Sequence, residues 1–248
     1  MRRRYAAGIL AVLTFAVLTA GADDFWVKKD WKQWTAADCK KLLEDSPWSH
    51  RKLIQNEGNI NRLPSAGNQG VGAQPSTVDT AQNKDTGELN YIVQIRSAAP
   101  IREALIRQQQ IDKQYDKMSD ADKKTFDAQM DQLFPNNPDR IIVHVRYYAN
   151  RDSLGADIAT SWKSIPRDTV PADMMLISSN GSRATPLTFV ADTTGDGFEV
   201  TFPRTGLGEE FKSFKLQIPH PALGDFGASK VTVEFRLDKM TFDGKPAF

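Results

Sequence analysis

From Leu89 onward, apolar and polar residues alternate in short runs. In "LNYIVQIR", Tyr91, Val93 and Ile95 fall on one side and Ile92, Gln94 and Arg96 on the other, the period-two pattern of a half-buried strand. "RIIVHVRYYA" from Arg140 is the strongest strand signal in the chain, with Val143 and Val145 opposite His144 and Arg146. Further strands are predicted around 174–178, 186–191, 198–202, 214–219 and 230–242. Asn180-Gly181 and Asp196-Gly197 lie between such runs and read as type I′ hairpin turns. The pattern predicts a mainly β (α+β) chain, an Ig-like antiparallel β-sandwich over residues 89–248.

A different period interrupts these strands. Ile101, Leu105, Ile111, Tyr115 and Met118 form a helical stripe, with Glu103 and Arg107 spaced for an i,i+4 pair. A second helix opens at Ser119, has Asp122 at its third position and carries Phe126, Met130, Leu133 and Phe134 before "PNNPD". The expectation is a helical hairpin inserted over about 99–135.

Before the strands, residues 23–54 hold four of the five tryptophans, Trp26, Trp31, Trp34 and Trp48, and the one cysteine, Cys39. Thr35 and Asp38 read as a capping box opening a helix over about 36–44. Trp34 and Cys39 then occupy the positions of a hydrophobic staple, and Cys39, Leu42 and Leu43 share one apolar face. Pro47 stops the helix and Trp48 follows. This is an N-terminal Trp-rich helical arm, and Trp26, Trp31, Trp34, Cys39, Leu42, Leu43 and Trp48 are expected to dock it on the β-domain. Residues 55–88, rich in Gly, Asn, Gln, Ser and Thr, read as a flexible low-complexity linker.

The first 22 residues change the setting. Arg2 to Arg4, an apolar run from Tyr5 to Ala20 and Ala20-Gly21-Ala22 have the form of a signal peptide, with cleavage before Asp23. An exported protein, periplasmic or secreted, with no membrane span after cleavage is expected. Cleavage removes three arginines from 32 basic residues and none of the 31 acidic ones, so the mature charge is near −2. No concentrated positive face for nucleic acid is evident. A single cysteine excludes an internal disulfide and leaves Cys39 either buried or open to an intermolecular disulfide.

Candidate chemistry is sparse. The three histidines, His50, His144 and His220, fall in separate predicted elements without a second metal ligand at suitable spacing, so neither metal nor other cofactor is expected. Asp192 to Gly197 has oxygens at calcium-loop spacing, but position twelve is Pro203, and a tight hairpin is the better reading. No nucleophile elbow, phosphate loop or dinucleotide fingerprint occurs, and no catalytic residues are assigned. If the strands of Arg96 and of His144 pair, then Arg96, His144 and Arg146 form a basic outward strip able to bind an anionic ligand.

The strings "FWVKKDWKQWTAADCKKLLEDSPW", "YIVQIRSAAPIREALIR", "FKLQIPHP" and "VTVEFRLDKMTFDGKPAF" resemble those of a group of secreted proteins of Gram-negative bacteria. The C-K-K-x-L-E-D-S-P-W piece is the most specific part. The group has no assigned activity, so the resemblance implies an architecture of arm, linker and β-rich domain and no catalytic set. The functional expectation is an exported, non-enzymatic envelope protein, a binding or assembly module with an envelope protein as partner. The alternative is a carbohydrate-binding or carbohydrate-processing protein using exposed tryptophans.

Overall fold

The computed structural model describes residues 25–55, 87–166, 169–208, 210–220 and 229–248. The signal peptide expected over 1–22 and most of the linker expected over 55–88 lie outside the described residues. Two antiparallel sheets carry the fold. The five-stranded sheet runs β1-β2-β3-β7-β6, with β1 Ser49–Gln55, β2 Glu88–Ile95, β3 Arg140–Ala149, β6 Thr188–Ala191 and β7 Gly197–Pro203. The four-stranded sheet runs β5-β4-β8-β9, with β4 Met175–Ser178, β5 Arg183–Ala184, β8 Ser213–His220 and β9 Ser229–Arg236. A small hairpin of β10 Thr241–Phe242 and β11 Lys245–Pro246 closes the chain. The helices are α1 Phe25–Lys28, α2 Ala36–Glu44, α3 Ala99–Asp112, α4 Asp120–Leu133 and α5 Asp152–Lys163.

Alternation decides which side of the five-stranded sheet is buried. Tyr91, Val93 and Ile95 of β2, Val143, Val145 and Tyr147 of β3, and Phe198, Val200 and Phe202 of β7 point to one face and are all buried. The second sheet covers part of that face, where His50 meets Phe235 and the Tyr91 hydroxyl lies 3.1 Å from His220 Nδ1. Helix α5 covers another part, with Trp162 against Phe189 and Phe198. Both sheets, α2, α3 and α5 thus contribute to one continuous core.

The Trp-rich segment is part of that core. Trp34, Cys39, Leu42 and Trp48 are fully buried and Trp26 nearly so. Trp26 packs edge-on to Trp48, Trp34 packs on Phe242, and the Trp48 indole N–H donates to the Ala247 carbonyl. The capping box forms at Thr35 and Asp38. The segment does not end as a helical arm, because Ser49–Gln55 is an edge strand paired to β2, with Ser49 opposite Gln94 and Gln55 opposite Glu88. Burial pushes the Cys39 thiol up to about 11. Of the two alternatives for Cys39 the structure takes the buried one, and a fully enclosed thiol is not open to the intermolecular disulfide that exposure would have allowed.

Several local expectations are also corrected. Helix α3 stops at Asp112, and Tyr115 lies in a separate 3₁₀ turn reached through Gln114 at φ 53°, so the stripe from Ile101 to Met118 is not one helix. Glu103 and Arg107 do not pair, since Arg107 Nε donates to the Trp34 carbonyl at 3.0 Å and Glu103 Oε2 has no partner. At Asn180-Gly181 only the glycine has positive φ, 91°, so the turn is not type I′. In the β6–β7 connection Gly195 takes the left-handed geometry, φ 81°. Gly197 instead begins β7, where a Cβ would lie 2.6 Å from the Val145 carbonyl oxygen. The run expected as one strand over 230–242 breaks at a turn over 237–240. Helix α5 is a further addition, hidden in sequence by Gly155 and a polar Asp-Ser start.

Candidate functional site

The expected basic strip sits on the outer face of the five-stranded sheet. In the β2–β3 register Gln94 is opposite His144 and Ile92 opposite Arg146, and across β3–β7 His144 is opposite Glu199. These side chains share the face turned away from the core. It is not a uniformly solvated face. Helix α2 lies over one end of it, where the Gln94 side-chain amide donates to the Leu43 carbonyl and Gln94 is buried; His144 is buried beside Asp192. Arg146, two residues along β3, is exposed.

Helix α2 comes to rest there because its residues divide between two environments. Cys39 and Leu42 enter the core, while Ala36, Ala37, Lys40, Leu43 and Glu44 face a groove against the sheet. Leu43, expected beside Leu42 on the inward stripe, is only partly buried and lines this groove. Leu105 and Gln108 of α3, Gln94 and Arg146 of the sheet, and Arg96, which falls in the turn after β2 rather than on the strand expected for it, complete a space of about 550 Å³.

The structure brings Arg96 and Arg146 together at the groove and turns His144 elsewhere. His144 Nε2 lies 2.9 Å from Asp192 Oδ2. Burial, then the neighbouring Arg96 charge, hold the imidazole below its ordinary range against the opposing pull of Asp192. The neutral ring therefore donates Nε2–H to Asp192 and leaves Nδ1 as a bare lone pair, which has no partner among the described residues. Arg96 reaches Glu199 through one Nη1 contact at 3.4 Å, and its Nε is buried without a partner. Burial lowers the guanidinium pKa, while Glu199 and Asp192 act in the opposite direction. Arg146 and Lys40 are exposed and make no ion pair among the described residues. The groove thus presents three cations, Lys40, Arg96 and Arg146, beside one carboxylate, Glu44, which is already bonded to Arg51 at 3.2 Å.

Sequence reasoning missed Lys40, Asp192 and Glu199 as members of this neighbourhood. Glu199 was legible, because Phe198, Val200 and Phe202 alternate inward around it. Lys40 follows Cys39 and so must leave the buried stripe. Asp192 carried no such signal, since its role is to receive a histidine 48 residues away in sequence.

Among the described residues there is no group of three His, Cys, Asp or Glu side chains placed to hold a metal. None of their helices is long and apolar enough to cross a membrane. Of the tryptophans in the opening segment, Trp31 alone is not buried among the core residues; it packs half-exposed between the main core and a satellite cluster of Ile106, Phe126 and Met130. No family model matches the chain and no curated protein matches it. A solved structure of a DUF4426 family protein from Pseudomonas aeruginosa PAO1 matches with a TM-score of 0.28 and 9% identity, over 60% of this chain and 86% of that one.

Proposed function

We propose that this chain is an exported, non-enzymatic envelope module with an Ig-like sandwich, and that its groove between α2, α3 and the outer sheet face binds an acidic segment of an envelope partner. The carrying observation is that Lys40 and Arg146, free of ion pairs among the described residues, line one space with the half-buried, singly bonded Arg96. An arginine fork donates two parallel N–H bonds to a carboxylate, and the low-dielectric wall behind Arg96 strengthens such a bond. The two antiparallel sheets over a common core, the one-sided alternation of β9 and the signal-like first 22 residues support the rest of the reading.

The test is calorimetric titration of the protein with hexaglutamate as probe. Wild type should bind, with affinity falling as salt rises, and Arg146→Glu should lose at least about tenfold because an attraction becomes a repulsion. Equal binding by wild type and the variant, or no binding by wild type at low salt, overturns the groove assignment. Cytoplasmic recovery of the tagged full chain from fractionated cells overturns the export reading.

A further inference from the structure

A second cleft lies on the other side of α3 and differs in chemistry from the groove. About 410 Å³ in volume, it is lined by Trp31 and Lys32 of the opening segment, by Arg102, Ile106, Arg107 and Gln110 of α3, and by residues of the Tyr115 turn and α4. The volume falls in the range of about 300–1,000 Å³ typical of small-molecule sites. Trp31 stands half-exposed at its wall, and Ile106 and Met130 make an apolar floor.

Most polar groups of this cleft are held in place before any ligand arrives. Arg102 Nη2 bonds Asp131 Oδ1 at 2.7 Å, and its Nε donates to the Phe134 carbonyl. Arg107 Nη1 bonds the buried Gln110 side chain at 3.2 Å while its Nε holds the Trp34 carbonyl. The Tyr115 hydroxyl donates to Asp127 Oδ2 at 2.9 Å. Three cations of the lining, Lys32, Arg102 and Arg107, face three carboxylates, Asp116, Asp127 and Asp131. Their charges cancel, so neither an anion nor a cation gains from the cleft as a whole.

A ligand that suits such a lining is uncharged, has a flat apolar face for the Trp31 indole, and carries hydroxyls that both donate and accept at its rim. We infer that this cleft is a saccharide-binding site, in which Trp31 stacks on the C–H face of a pyranose ring and Asp127, Asp131, Arg102 and Gln110 take its hydroxyls. The aromatic side chains supply contact area at low entropic cost, and the paired charges supply oriented donors and acceptors. The inference stands apart from the acidic-segment reading, since the two spaces use different faces of α3 and share no lining residue.

The experiment titrates the full chain with cellohexaose, chitohexaose and maltohexaose, following tryptophan fluorescence and the protection of Trp31 from oxidation by N-bromosuccinimide. At least one oligosaccharide should shift the emission and protect Trp31. Trp31→Ala should weaken it by about tenfold or more. Asp127→Asn, at an exposed side chain whose loss leaves both cores intact, should weaken it several-fold, and Arg146→Glu should leave it unchanged. No response to any of the three, or a response that survives both Trp31→Ala and Asp127→Asn, overturns the site.

Discussion

The two clefts that α3 divides are built on different foundations. One wall of the groove is sheet: Gln94 and Arg146 stand on β2 and β3, whose opposite faces are buried, and Arg96 sits in the turn just past β2. The saccharide cleft rests on helices and a 3₁₀ turn over a satellite cluster of just Ile106, Phe126 and Met130, with Trp31, Tyr115, Met118 and Phe134 packed around it. The groove gathers cations of one sign on a rigid support, which suits a charged partner. The cleft sets three cations against three carboxylates, with Arg102 and Asp131 ion-paired, over a small satellite cluster, which suits a neutral ligand. Placement on sheet or on insertion thus goes with the electrostatic character of each space.

The sharpest break of this comparison is Phe126→Ala. Phe126 is the largest buried side chain of the satellite cluster and touches Tyr115, ring centroids 5.2 Å apart. Truncation should cost roughly 2–3 kcal/mol, somewhat below the ~3–5 of a fully enclosed phenylalanine because the site can collapse toward solvent. That cost should fall on the helical insertion. Hydrogen exchange should accelerate in α4 and the Tyr115 turn, with β2 and β3 unaltered, and oligosaccharide binding should weaken while hexaglutamate binding holds. Equal acceleration in the strands would show that the insertion has no separate foundation.

A smaller effect is expected at Glu103, which shares a stripe of α3 with Ile106, Arg107 and Gln110. The Glu103 carboxyl is raised from its ordinary value of 4.5 to about 7, first by burial and then by the nearby Asp243 charge. Its folded-state pKa lies above the unfolded one, so the stabilisation it allows is complete below about 4.5 and is lost as pH rises through about 7. The shift corresponds to at most about 3 kcal/mol, and partial exposure brings the expected loss nearer 1–2. Glu103→Gln should therefore raise the melting temperature at pH 8 and leave it unchanged at pH 4. Because α3 walls both spaces, any pH effect on binding that passes through Glu103 should appear in the groove and the cleft alike.

The same division explains what the sequence made legible. Alternation in β2, β3 and β9 announces the strands, and the Thr35–Asp38 spacing announces α2, because each is a local pattern backed by local physics. It also places Arg96 and Arg146 on one face. What cannot be read locally is the covering of that face by α2, since the Gln94–Leu43 bond joins residues 51 apart, and His144 is turned from the groove by Asp192. Strand β1 escapes for a related reason. As an edge strand it carries Arg51 and Lys52 and shows little alternation, and only its pairing with β2 defines it. Trp31 is the reverse case: expected to dock like the other tryptophans of its segment, it is half-exposed, and nothing local in the sequence separates it from the buried Trp26.

The gentlest probe acts on the cap of α2. Thr35 Oγ1 accepts from the Asp38 N–H at 3.2 Å, and Asp38 Oδ2 accepts from the Thr35 N–H at 2.9 Å and from Lys29 Nζ at 2.7 Å. Thr35→Ala removes one bond of this reciprocal pair and should cost about 1 kcal/mol, felt in the first turn of the helix. Ala36, Ala37 and Lys40, which line the groove, lie in or next to that turn, while the cleft takes no residue from α2. The expected outcome in titrations is a loss of hexaglutamate affinity of a few fold, since a frayed turn lets Lys40 leave the groove, together with unchanged oligosaccharide binding. Asp38→Asn should weaken the groove further by loosening the charge bond to Lys29 as well. If Thr35→Ala instead weakens both ligands equally, α2 and α3 respond as one body, and the partition of chemistry by α3 gives way to a single coupled surface.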